Sequence, residues 1–191
     1  MEKNKKINTY DLVVTAMFTV LSIIGAYIKI PIGTVPFTLQ FMIAALSGII
    51  LGSKFGPLSQ IIYIILGLIG LPVFTSGGGI TYIFYPTFGY IIGFVICSFM
   101  IGFACERMIK KYNKINKIKL FIILILSMFV VYTVGAIYFY MIKNIYLKTE
   151  MDFLSVVKVC FIPFIFSDFI YCIILGAFGP KLKSIINKIK S

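Results

Sequence analysis

Apolar residues run through this chain in long blocks, separated by short stretches of glycine, proline and lysine. A helix that crosses a bilayer needs about 20 mostly apolar residues, and six blocks approach that length. The first spans 10–28 and is stopped by Lys29 and the Pro31-Ile32-Gly33 break. The second covers 37–51 and ends at Gly52-Ser53-Lys54. The third, 57–71, opens on Pro57, a favoured first-turn residue, and ends before Pro72. It is short, and short or interrupted spans often border binding sites in transporters. The remaining blocks are 87–104, 120–142 and 156–178. The pattern predicts an all-α, polytopic integral membrane protein: six transmembrane helices in one compact bundle, a single membrane domain over residues 1–191.

The basic residues orient these spans. Lys3, Lys5, Lys6, Lys54, Arg107, Lys110, Lys111, Lys114, Lys117, Lys119, Lys181, Lys183, Lys188 and Lys190 all fall on the side that holds both ends. The opposite side has only Lys29, Lys143, Lys148 and Lys158. Positive residues concentrate in cytoplasmic connections, so both termini are expected in the cytoplasm, with lysine-poor connections facing out. Five or seven spans would spoil this asymmetry.

Composition agrees. Apolar and aromatic residues make up 60% of the chain and charged residues 13%, about half the share usual in a soluble domain. A small soluble fold could not hide that much apolar surface. The net charge of +12 does not mark a nucleic-acid binder, because the basic residues are strung between apolar blocks instead of gathered on one face. The basic stretches 107–119 and 181–190 read as topology signals beside an anionic leaflet. The N-terminal block is too long for a signal peptide and lacks a small-residue cleavage site. Cys97, Cys105, Cys160 and Cys172 show no C-x-x-C spacing, and the chain has no histidine. That argues against a zinc site and for small apolar fillers. Small residues recur at four-residue spacing (Ser22/Ala26, Gly48/Gly52/Gly56, Gly89/Gly93, Ser98/Gly102), which lets helix backbones approach closely in lipid.

Candidate chemistry rests on a few polar groups. Asp168 alone among the six acids sits deep in an apolar run. A carboxylate at that depth costs at least ~2.5–3.5 kcal/mol on insertion scales, so it should meet a cavity or a partner. Pro163 helps, since a proline inside a helix frees a carbonyl and can bend the backbone. The stretch from Pro72 to Tyr90 is uncharged and mixes glycines with hydroxyls and rings. Ser76, Gly77, Gly78, Gly79, Tyr85, Thr87 and Tyr90 are its candidate binding residues, glycines because main chain can approach a ligand there. In the first outward connection, Gln40 brings an amide to the start of the second span. Three polar features on one side of the membrane describe an outward-facing pocket. No G-x-x-x-x-G-K-[ST] phosphate loop occurs. One buried acid without histidine leaves an enzyme almost no acid–base or metal chemistry.

Several stretches carry a wider likeness: Ile30-Pro-Ile-Gly-Thr-Val-Pro-Phe-Thr-Leu-Gln40, Leu51-Gly-Ser-Lys-Phe-Gly56, Gly67-Leu-Ile-Gly-Leu-Pro-Val-Phe74, Ser76-Gly-Gly-Gly79 and Tyr85-Pro-Thr-Phe-Gly-Tyr-Ile-Ile-Gly-Phe94. Tyr132-Thr-Val-Gly135 and Pro163-Phe164 with Asp168 extend it. In these the chain resembles the BioY family, the biotin-binding membrane components (S components) of energy-coupling-factor vitamin transporters. The resemblance implies a six-helix bundle in a bacterial cytoplasmic membrane. It also implies a transmembrane coupling subunit and two ATPase subunits that power uptake, with no cofactor in this chain. It aligns Asp168 with the aspartate of a P-F-L-P-G-D-x-x-K segment that helps to hold biotin. Tyr171 then stands where that segment has lysine, so a ligand carboxylate would meet hydroxyls, amide groups or a loop lysine such as Lys29. Coupling-subunit contact through small residues in the first span would fall on Ala16 and Val20. An S component for another vitamin or a biotin precursor, and a membrane scaffold or sensor without transport, are the other readings.

Overall fold

A computed structural model describes residues 8–30 and 35–190. The Pro31-Ile32-Gly33 break, Lys3, Lys5 and Lys6 lie outside the described residues. Helix α1 (Thr9–Tyr27) starts behind Asn8, whose side chain accepts a hydrogen bond from the Tyr10 amide at 3.3 Å. Two short strands follow, β1 (Lys29–Ile30) and β2 (Phe37–Thr38), antiparallel with Lys29 opposite Thr38.

Helix α2 (Gln40–Leu68) is broken at Gly52, whose φ of 81° and ψ of −169° only glycine adopts readily. There the chain folds back on itself. The Gln40 amide nitrogen donates to the Tyr63 hydroxyl at 2.9 Å, although 23 residues separate them. In a straight helix that separation would be about 35 Å. A Cβ on Gly56 would likewise stand 3.0 Å from the Ser47 carbonyl oxygen. The two arms, 40–51 and 53–68, are therefore antiparallel neighbours. They overlap the second and third apolar blocks of the sequence, but the second arm begins at Ser53, so Pro57 lies inside it and does not open it, and it ends at Leu68, short of 71. Because both arms belong to α2, five helices, not six, are each long and apolar enough to cross a membrane among the described residues.

The bend is held from two sides. Glu106 accepts from the Ser53 amide (2.9 Å) and hydroxyl (2.6 Å), at the start of the second arm. Lys183 donates to the Ile50 carbonyl (2.6 Å), at the end of the first. Each charge suits the helix end it meets, an acid at the amide end and a base at the carbonyl end.

Helix α3 (Phe88–Tyr112) runs past the predicted 87–104 into the basic connection, where Lys110 and Lys111 occupy its last turn and Asn113 closes it at φ 54°. Helix α4 (Lys117–Met141) begins behind Asn116, which accepts from the Lys119 amide at 3.1 Å, and it relaxes into a wider turn over 142–146. Helix α5 (Phe153–Lys190) contains Pro163 and Pro180 and carries on well beyond the apolar block 156–178. Ahead of it, the Ser155 hydroxyl, with backbone amides of the first turn, holds the Asp152 carboxyl below the usual carboxylate range.

The small residues sit where helices touch. A Cβ on Gly48 would come within 2.5 Å of the Ser98 carbonyl, and one on Gly102 within 2.4 Å of the Gly52 carbonyl carbon. Gly89 and Gly93 face Tyr138 and Val131 of α4 in the same way. The main core lies between the first arm of α2, α3, α4 and α5, with a satellite around Tyr63, Phe74, Tyr82 and Phe88. Outward faces are equally apolar: Leu12, Val13, Met17, Val20 and Ile24 are exposed on α1, as are Ile162 and Phe166 on α5. Such surface requires lipid or a partner. The four cysteines are buried and unpaired.

Gly102→Val should overfill the contact with the bend and destabilise the protein by about 1–3 kcal/mol. Thermal unfolding of the detergent-solubilised protein would show this as a lowered midpoint, whereas an unchanged midpoint would disprove the backbone contact.

Candidate functional site

A cavity with an open mouth lies between α2, α3, α4 and α5, beneath the α1–α2 and α2–α3 connections. Its lining comes from segments distant in sequence, which the reversal at Gly52 gathers at one end of the bundle. Ile91, Phe94, Val131 and Phe164 give it apolar walls, and Phe41 completes them from α2.

Asp168 lines the cavity from α5 and is 5% exposed. Its Oδ2 accepts from the Tyr132 hydroxyl of α4 at 2.6 Å. Its Oδ1 is buried with no hydrogen-bond partner among the described residues. A buried acceptor left open is costly, and in a cavity wall it marks a place for a donor. Tyr90 crosses from α3 and donates to the Cys160 carbonyl at 2.9 Å. That carbonyl is the next one after Val159, which Pro163 deprives of its helical partner. The Tyr90 ring lies where a Cβ on Gly135 would be, 2.7 Å from the nearest ring carbon, so Gly135 makes room for it.

The mouth is built by both connections. Val35, Pro36, Phe37 and Thr38 come from the first, Thr75, Tyr82 and Thr87 from the second. Gln40 joins them: its oxygen accepts from the Thr38 hydroxyl (3.3 Å) while its nitrogen bonds Tyr63, which in turn donates to the Val73 carbonyl (3.3 Å). Thr75 and Tyr82 share a hydroxyl contact of 2.9 Å. The Tyr27 hydroxyl bonds the Pro72 carbonyl, and the Lys29 ammonium the Thr75 carbonyl.

Of the residues singled out in the sequence, Gln40, Thr87, Tyr90 and Asp168 line this cavity together. The others stand behind or beside it. Gly77 (φ 112°) and Gly79 (φ 104°) shape a tight turn in which Phe74 and Gly77 pair through their backbones. A Cβ on Gly78 would fall 2.0 Å from the Leu71 carbonyl, and the Gly79 amide donates to the Gly67 carbonyl at 2.7 Å. The three glycines fold the connection down onto α2 and leave the lining to Thr75 and Tyr82. Ser76 is exposed at the turn. Tyr85 stacks on the far side of Tyr82 with centroids 4.6 Å apart, and Tyr171 stacks on Phe37 at 6.1 Å. Ala16 and Val20 lie on the exposed face of α1, remote from the cavity.

The sequence reading did not single out Phe37, Thr38, Thr75, Tyr82, Tyr132 or Phe164. Tyr132 had a usable signal, a phenol in the middle of an apolar run that needs a partner in lipid. The phenylalanines had only their place in the stretches of family likeness, their local pattern being indistinguishable from that of core residues.

The BioY family model matches residues 1–188 of the chain. The chain belongs to the BioY family. Within it, the "Probable biotin transporter BioY" of Lysinibacillus sphaericus is 38% identical over 187 residues, covering 98% of this chain and 93% of that protein. The "Biotin transporter BioY" of Thermotoga maritima is 34% identical over 178 residues, covering 92% and 96%. A solved structure described as the S-component for biotin from an ECF-type ABC transporter matches with a TM-score of 0.77 and 33% identity, covering 96% of this chain and 95% of that one. The likeness to these BioY proteins extends over the whole helical bundle.

Tyr132→Phe should leave Asp168 with both oxygens unbonded and cost about 1–3 kcal/mol of stability. The check is the unfolding midpoint against wild type, and equal midpoints would remove the role given to this hydrogen bond.

Proposed function

We propose that this chain is the substrate-capture subunit of an energy-coupling-factor vitamin transporter and that it binds biotin in the cavity around Asp168. The observation that carries the reading is the buried, unpartnered Oδ1 of Asp168 in the cavity wall of a BioY bundle. Biotin suits such a wall. Its ureido ring offers neutral N–H donors, and a donor to a carboxyl oxygen makes a charge-assisted bond worth about 1.5–3 kcal/mol. Its fused rings and aliphatic chain suit Phe41, Phe94 and Phe164. Gln40, Thr87 and Tyr90 supply polar contacts closer to the mouth. Gly77, Gly78, Gly79, Ser76, Tyr85 and Tyr171 act by shaping the rim, not by touching the ligand.

The relatives carry transporter names, and no catalysis is assigned to this chain. Energy for uptake would come from two ATPase subunits joined through a transmembrane coupling subunit, since the chain has no phosphate loop of its own. The exposed face of α1 around Ala16 and Val20, where Val20 is 53% exposed, is the surface for that coupling subunit. With each arm of α2 counted as a crossing, the bundle has six. Both ends then lie in the cytoplasm of a bacterial cell and the cavity opens outward, as the lysine asymmetry demands. Reporter fusions at either end should be active only on the cytoplasmic side.

Calorimetric titration of biotin into the purified protein tests the reading. Wild type should bind at sub-micromolar concentration, and Asp168→Asn should weaken binding roughly 10- to 150-fold, the equivalent of one charge-assisted bond. A folded wild-type protein that gives no heat with biotin would refute the ligand, and other vitamins or biotin precursors would then be screened on the same cavity.

A further inference from the structure

Beside the mouth of the cavity, outside its lining, stands an exposed cation that the proposed function leaves without a task. Lys29 lies in β1 with its Cα opposite Thr38, and its Nζ reaches the Thr75 carbonyl at 2.5 Å. Thr38 and Thr75 both line the cavity, one from each connection. The ammonium therefore sits where the two halves of the mouth meet. It has three donors, and the Thr75 carbonyl takes one.

Among the described residues, the cavity lining contains no lysine or arginine, and its only acid is Asp168. A ligand with an anionic end would enter with that end away from Asp168, because like charges repel strongly in a poorly hydrated space. The anionic end thus comes to the mouth. The α5 segment that carries Asp168 offers it no cation, since position 171 holds a tyrosine stacked on Phe37. The other lysines at this end of the bundle are turned to different tasks or places. Lys143 lies over the Phe139 ring at 6.0 Å, and Lys148 is exposed in the α4–α5 connection. Lys158 is exposed two residues before Cys160, roughly 160° round α5 from that buried residue.

We infer that Lys29 is a specificity-determining residue: its ammonium pairs with the carboxylate of a biotin-like monocarboxylate while Asp168 takes the neutral donors at the other end. The inference rests on the function proposed above. It assigns the two ends of the ligand to two opposite charges, one at the floor and one at the rim.

Calorimetry on the full-length protein with biotin and with its neutral carboxamide separates the possibilities. Wild type should prefer biotin by about tenfold or more, the contribution of one charge-assisted bond. Lys29→Gln should abolish that preference by weakening biotin alone, leaving the amide within about twofold of its wild-type affinity. Lys29→Arg should restore most of it. Equal weakening of biotin and amide in Lys29→Gln would reduce Lys29 to a tie between loops and overturn the inference, as would an unchanged preference. Failure of wild type to bind either compound would instead overturn the proposed function, and the inference with it.

Discussion

Everything at the open end of this bundle depends on how closely two backbones approach at its other end. At Gly52 the chain leaves the helical conformation, and Gly102 of α3 leaves space for that departure. A side chain at either position would push the bend and α3 apart. Because the reversal is tight, the two arms of α2 run side by side, and Gln40 and Tyr63 become partners across the cavity's rim. The α1–α2 connection and the α2–α3 connection then start and end at the same level. A looser turn would lengthen one arm relative to the other and separate the two halves of the mouth.

Inside the bundle, polar groups have been paired with care. Thr19 donates to the Ser59 carbonyl (3.0 Å), and Ser22 and Gln60 bond one another between α1 and the second arm of α2. Ser47 and Ser98 share a 2.8 Å contact where α2 meets α3. In a medium without water each such pair holds helices that lipid would otherwise solvate equally well on all sides. Against that background the free Oδ1 of Asp168 stands out as a group with a different purpose. Ser127 also has an unbonded hydroxyl oxygen, but it lies outside the cavity lining and is a neutral group that weighs less.

The apolar blocks gave away the helices because the bilayer demands length, and length is visible in a sequence. They also separated the two arms of α2, which helix continuity alone would merge. Asp168 and Gln40 were legible since polar groups at such places are expensive and rare. The glycine run was legible as unusual, but its purpose was not. Glycine serves close ligand contact and tight turning equally, and only the position of the Leu71 carbonyl against Gly78 decides for the turn. Phe37, Phe94 and Phe164 were invisible as lining residues for a related reason. An aromatic ring facing a cavity and one facing a neighbouring helix satisfy the same pattern, and the difference is set by a few degrees of helix rotation.

The charges around Gly52 have an electrical consequence. One helix end there presents partial negative charge at the Ile50 carbonyl and the next presents partial positive charge at the Ser53 amide, three residues on. Lys183 answers the first and Glu106 the second, each from a different helix. Each full side-chain charge outweighs the roughly half-unit charge of the helix end it meets. The two severed helix dipoles at the closed end of the bundle are therefore each compensated on the spot, by a side chain that another helix delivers.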